Sequence, residues 1–200
     1  DEPASRRGQE EIPLTPLQER LLSRLPFSLT PDQRSVLGEI NRDLAGQTAM
    51  ARLLQGDVGS GKTLVSFLAS LAVIEAGGQV ALLAPTELLA RQHAENAARL
   101  LEPTGIRLAF LTGNLKASGR ARLLAELEQG NIDLVIGTHA LFSGKVAYRN
   151  LRLAIIDEQH RFGVRQRSAI QEKGMTGSPG DRPPHLLMMS ATPIPRTLAL

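Results

Sequence analysis

Apolar residues in this chain occur in short unbroken runs, separated by stretches in which they recur every third or fourth position. The runs are Ala51–Leu54, Val80–Ala84, Leu108–Leu111, Leu134–Ile136, Leu153–Ile156 and Leu186–Met189. Between most of them lie helical patterns: Val36, Leu37, Ile40 and Leu44; a block from Leu64 to Ile74; Leu88 to Leu101; and Ala121 to Leu127. Unbroken apolar strands are typical of parallel sheets covered on both faces. Strand alternating with helix predicts an α/β fold with a mainly parallel central sheet and helices on both faces. In such sheets ligands bind beyond the carboxyl ends of the strands. A leading helix with Leu17, Leu21, Leu22 and Leu25 precedes this rhythm, so residues 1–25 read as a linker plus short helix and residues 26–200 as the domain. Gly174 to Pro184, rich in glycine and proline, reads as an exposed loop before the last strand.

One junction carries a specific signal. GDVGSGKT comprises Gly56, Asp57, Val58, Gly59, Ser60, Gly61, Lys62 and Thr63, and it joins the first apolar run to the Leu64–Ile74 helix. It fits G-x-x-x-x-G-K-[ST] in the strand-to-helix context that this motif requires. Glycines let backbone N–H groups turn inward around phosphate oxygens, and the following helix directs its positive end at the same anion. Lys62 then serves the β and γ phosphates and the Thr63 hydroxyl serves Mg²⁺, which makes ATP with Mg²⁺ the expected ligand.

The run Leu153–Ile156 ends in two adjacent carboxylates, Asp157 and Glu158. A phosphate loop needs a second metal ligand from another strand end, and Asp157 is placed for it. Neighbouring side chains of an extended segment point to different sides. Glu158 is therefore the candidate to orient or deprotonate the attacking water, so Lys62 and Glu158 are the catalytic candidates.

Composition adds a partner. The net charge is only +3, but the cations are four lysines against nineteen arginines. Arginine's planar fork suits phosphate oxygens, which points to nucleic acid. Aromatics make up 3% of the chain, which disfavours stacking on bases and favours contacts with the sugar-phosphate backbone. There is no cysteine, which excludes disulfides and thiolate metal sites. The Leu64–Ile74 stretch is too short for a membrane span of about 20 residues. A cytoplasmic protein without membrane contact is expected.

Five segments in order, GDVGSGKT, APTELLARQH (Ala84–His93), GTHAL (Gly137–Leu141), DEQH (Asp157–His160) and SAT (Ser190–Thr192), resemble the motifs of the first, RecA-like motor domain of superfamily 2 helicases. DEQHRFGVRQR and SATPIPRTLAL resemble, more narrowly, the RecG family of branched-DNA helicases. The transcription-repair coupling translocases share a similar RFGV and TPIPRTL pattern, but Gln159 and the run Arg165, Gln166, Arg167 favour the RecG family. The resemblance implies a P-loop NTPase fold and an ATP-dependent DNA helicase acting on forks and recombination junctions in replication restart and repair. It implies that Phe27 stacks on adenine and Gln33 hydrogen-bonds it, although Thr30-Pro31-Asp32-Gln33 also reads as a capping box. It implies DNA-backbone contacts from Pro85, Thr86, Arg91, Thr112, Gly113, Gly137, Thr138 and His139, and coupling of nucleotide state to DNA grip through His160, Ser190, Ala191 and Thr192. His93 and His185 read as structural.

Relatives of this kind carry an N-terminal wedge domain and a second motor domain whose arginines complete the ATP site. The chain stops at Leu200, where the connection to that second motor is expected, so it reads as half of a motor, near-inactive alone. Two other readings use the same residues: a translocase on duplex DNA without unwinding, and a module that binds nucleotide without hydrolysing it.

Overall fold

In the computed structural model all six apolar runs are strands of one sheet. The structure describes residues 13–56, 61–157, 164–174 and 181–190, excepting the side chains of residues 164–167. The strands are β1 (Ala51–Gln55), β2 (Gln79–Leu83), β3 (Leu108–Leu111), β4 (Leu134–Gly137), β5 (Leu151–Ile156) and β6 (His185–Ser190). Their spatial order is β1-β6-β5-β2-β4-β3, with every pairing parallel. The α-helices are α1 (Pro16–Arg24), α2 (Pro31–Ala45), α3 (Lys62–Glu75), α4 (Glu87–Leu101), α5 (Ala117–Gln129) and α6 (Val164–Lys173). The sequence pattern did not announce α6, whose polar composition leaves little apolar periodicity.

The direction in which the chain crosses the sheet decides which face each helix covers. From β1 through β2 to β3 it moves towards the β3 edge, and right-handed crossovers put α3 and α4 on one face. At β3 it turns back through β4, β5 and β6, so α5 and α6 fall on the opposite face. Strand alternation matches this division. Val80, Leu82, Leu134, Ile136, Leu153, Ile155 and Leu187 pack with α1 to α4. Ala81 and Val135 pack with Leu127 of α5, while Leu83, Ala154 and Ile156 pack with Ile170 of α6.

The leading helix belongs to that first layer. Leu21 is fully buried in it, and Gln18, also fully buried, donates to the Leu68 carbonyl of α3 at 2.8 Å. Gln18 and Asn41 exchange two amide hydrogen bonds, 2.9 and 2.8 Å, which join α1 to α2. The short helix of residues 1–25 is thus packed as part of the domain, and residues 1–12 lie outside the described residues. Gly174 and Pro184, read from composition as part of an exposed loop, are buried. Pro184 leads directly into β6, and a Cβ on Gly174 would stand 2.4 Å from the Pro184 ring.

His185 opens β6 and its buried Nδ1 accepts the Met50 N–H at 2.8 Å. That bond requires the nitrogen to be unprotonated. Burial, then the nearby Arg152 and Arg182 guanidinium groups, hold its pKa below the ordinary histidine value. The unfolded chain takes up this proton near pH 6.5 and the folded chain only at lower pH. The stabilisation is therefore complete above about pH 6.5 and is lost as the pH falls below it. His185→Asn, whose side-chain oxygen can accept the same N–H, is expected to lose less thermal stability than the unaltered chain between pH 7.5 and 5.5. Equal losses in the two melting series would count against this role.

Candidate functional site

The predicted residues converge because every strand is parallel, so all six carboxyl ends lie along one edge. Gly56 follows β1, Ser190 ends β6, and Asp157 follows β5. Pro85 and Thr86 come shortly after β2, Gly137 closes β4 with Thr138 just beyond it, and Thr112 and Gly113 follow β3. The sheet order divides them. The phosphate-loop, metal and coupling candidates occupy β1-β6-β5, and the backbone-contact candidates occupy β2-β4-β3.

In the first half, Gly56 N–H donates to the Ser190 carbonyl at 3.1 Å, tying the start of the phosphate loop to the end of β6. The Lys62 ammonium group donates to the Gly56 carbonyl at 3.0 Å, so the lysine spans the loop from its end to its start. Gly61 caps α3 with φ 81°, a left-handed conformation that costs other residues about 1–2 kcal/mol. A Cβ there would lie 2.2 Å from Gln33 Nε2. Gln33 itself caps a helix. Its backbone N–H donates to the Thr30 hydroxyl at 3.2 Å and its Oε1 accepts the Thr30 N–H at 2.9 Å, a complete capping box at the start of α2. The amide nitrogen of the same side chain lies beside Gly61, the last glycine of the loop motif. Phe27, just before α2, is 53% exposed, an uncovered ring of the kind that stacking on a base requires. Asp57, Val58, Gly59, Ser60, Glu158, His160, Ala191 and Thr192 lie outside the described residues.

Mg²⁺ keeps several waters and takes one or two carboxylates together with substrate phosphates. The hard-oxygen donors available, the Asp157 carboxylate and the Thr63 hydroxyl at the start of α3, fit that demand. Among the described residues no three acidic, histidine or cysteine side chains converge into a cage, so an ion here would depend on the phosphates it accompanies.

In the second half, Thr86 caps α4 by accepting the Leu89 N–H at 3.3 Å. Glu87, the first residue of α4, accepts the Gly113 N–H through Oε1 at 2.7 Å and thereby joins the β2 and β3 loops. A phosphate seeking that amide has to replace a carboxylate of the same sign. The Arg91 guanidinium group lies 6.0 Å from the centre of the Phe110 ring. Thr86, Arg91, Gly113 and His139 are all exposed. Sequence reading left His93 aside as structural, yet its Nε2 stands 2.5 Å from Asp157 Oδ2. The available signal was its place in α4, where His93 interrupts the buried stripe of Ala90, Ala97 and Leu101.

The model of the DEAD/DEAH box helicase family matches residues 30–200 of the chain. The ATP-dependent DNA helicase RecG of Treponema pallidum (strain Nichols) is 67% identical over 187 residues, covering 94% of this chain and 27% of the relative. The RecG of Escherichia coli (strain K12) is 50% identical over 184 residues, covering 92% and 26%. A solved RecG bound to a three-way DNA junction superimposes with a TM-score of 0.78 at 42% identity, covering 92% of this chain and 24% of that one. The yeast DEAD-box splicing factor Prp28, 18% identical with a TM-score of 0.69, shares the fold. The chain thus spans about a quarter of the length of the RecG relatives it matches.

Gly61→Ala tests the crowding at the start of α3. The left-handed backbone and the Gln33 amide both oppose a methyl group, so a loss of about 1–2 kcal/mol in stability is expected from the backbone alone. Nucleotide affinity should fall with it, because Gln33 is displaced from the loop. Thermal unfolding with and without nucleotide measures both, and an unaltered variant would contradict the geometry.

Proposed function

Because the chain belongs to the DEAD/DEAH box helicase family, we propose that it is the nucleotide-binding first motor domain of a RecG-type ATP-dependent DNA helicase. The observation that carries the proposal is the division of one sheet edge into a phosphate-loop half and a backbone-contact half, in a chain 67% identical to a RecG. That identity favours branched-DNA remodelling over translocation on duplex DNA.

The loop amides and Lys62 bind the ATP phosphates, and Gln33 with Phe27 holds the adenine. Asp157 and Thr63 hold Mg²⁺, which when bound neutralises charge developing on the phosphates. Glu158 orients the attacking water. Ser190 is hydrogen-bonded through its carbonyl to the first loop residue, so a change at the phosphates bears directly on the Ser190–Thr192 segment. On the other half, Thr86, Arg91, the Thr112–Gly113 loop and the Gly137–His139 loop meet DNA phosphates. Backbone contacts of this kind orient the DNA without reading its sequence. The partners are branched DNA, a second motor domain and a wedge domain of the same full-length protein. Among the described residues no helix is long and apolar enough to cross a membrane, and we place the protein in the cytoplasm.

Replacing Lys62 with alanine removes a charge-assisted hydrogen bond worth about 1.5–3 kcal/mol, or roughly ten- to hundredfold in affinity. Titration of the chain with a fluorescent ATP analogue in Mg²⁺ reads this directly. Unchanged affinity would withdraw the phosphate-loop assignment.

The half-motor reading has its own test. Arginines supplied from a second domain are worth about 10³–10⁵ in rate in related phosphate-loop enzymes. DNA-stimulated hydrolysis by this chain should therefore be far below that of the full-length protein, which should also prefer forked to linear DNA. Equal stimulation would mean that one lobe is a complete site.

A further inference from the structure

The two halves of the carboxyl edge meet between β5 and β2, and a side-chain contact joins them. Helix α4 follows β2 and begins at the Thr86 cap, yet its His93 reaches Asp157 beyond β5, with Nε2 to Oδ2 at 2.5 Å. Both side chains are only 12% exposed. Thr86 and His93 are seven residues apart, two turns or about 10.5 Å along one helix face. The neighbouring residues of that face, Ala90 and Ala97, are buried and small, which brings the helix close enough for an imidazole to span the gap.

The hydrogen bonding of His93 is one-sided. Donation from Nε2 to the Asp157 carboxylate uses one ring nitrogen and leaves the other, Nδ1, to find its own partner. That Nδ1 is buried and has no hydrogen-bond partner among the described residues. Leaving such an atom unsatisfied is costly, and an apolar side chain would fill the space without the cost. Packing alone therefore does not account for an imidazole here, whereas donation to Asp157 does.

We propose that His93 is a positioning residue for Asp157, fixing the orientation of the metal-binding carboxylate from the helix that carries the Thr86 loop. The proposal rests on reading Asp157 as the Mg²⁺ ligand. Groups that hydrogen-bond a ligating side chain orient it, and their loss typically costs about 10–100-fold in metal affinity.

The test is a Mg²⁺ titration of fluorescent ATP-analogue binding to the chain, its His93→Gln, His93→Leu and Asp157→Asn variants. Thermal unfolding without nucleotide serves as the control. Glutamine keeps a side-chain N–H donor and leucine keeps only the bulk. The expected result is a Mg²⁺ half-saturation raised about 10–100-fold in His93→Leu, restored to near the original by His93→Gln, with folding retained in both. Should His93→Leu not fold, His93→Met takes its place with the same expectation. Equal shifts in the donor and non-donor variants would assign the effect to packing and overturn the proposal. So would a non-donor variant that responds to Mg²⁺ like the unaltered chain while Asp157→Asn does not, and in that case the nucleotide site itself stands. If the unaltered chain binds the analogue without regard to Mg²⁺, the reading of Asp157 falls and this role falls with it.

Discussion

The phosphate loop hangs from a strand that the rest of the sheet reaches only through β6. Among the described strands β1 lies at the sheet edge and pairs with β6 alone, from Ala51 opposite Leu186 to Gln55 opposite Ser190. The Leu186 N–H donates to the Met50 carbonyl at one end, and the Gly56 N–H donates to the Ser190 carbonyl at the other. These partners are more than 130 residues apart in the chain, so the height of the loop on the sheet edge is fixed only when the last strand docks. Non-local pairing of this kind carries a large loop-closure cost. The same pairing places Gly56, where the loop motif begins, next to Ser190, so two elements far apart in sequence share a backbone hydrogen bond.

Strand direction explains why the chemistry gathers at one edge, and the turn at β3 explains why both faces are covered. Much of this was legible beforehand. The apolar runs located all six strands because buried parallel strands contain few polar positions, and Gly61 and Lys62 lie, as the glycine-lysine spacing expects, where the chain enters α3. Asp157 and Ser190 could be placed because each closes an apolar run. Helix α6 was not legible: its sequence, VRQRSAIQEK, offers few apolar residues, although Ile170 packs against the strands.

Contacts between elements were less legible than the elements themselves. That His93 meets Asp157 depends on β2 lying beside β5 and on the rotation of α4, and neither appears in the local pattern. The bond from Gly113 N–H to Glu87 depends likewise on β3 standing two places from β2. Gln33 shows a different limit. Its capping box and the adenine contact that the family resemblance implies are compatible readings of the sequence, and the side chain has two ends. The oxygen completes the cap, and the nitrogen lies over Gly61.

A packed sheet of this kind is stiff, since interiors at crystal-like density transmit strain rather than absorb it. The carboxyl ends of β1 and β3 therefore keep a nearly constant separation, and on the proposed function a change at bound phosphates cannot reach the candidate backbone-contact loops by stretching the sheet. The adjustable parts are the side chains that run from a flanking helix to a strand-end loop. Gln33 runs from α2 to the phosphate loop, Glu87 from α4 to the β3 loop, and His93 from α4 to Asp157. Two of these three belong to α4, and they act six residues apart on opposite sides of the boundary between the halves. A small rotation or slide of that helix changes the Gly113 amide contact and the Asp157 carboxylate contact together, while the strands beneath it stay in register. On the proposed function, communication across this domain runs through the way α4 is seated on the buried Ala90 and Ala97.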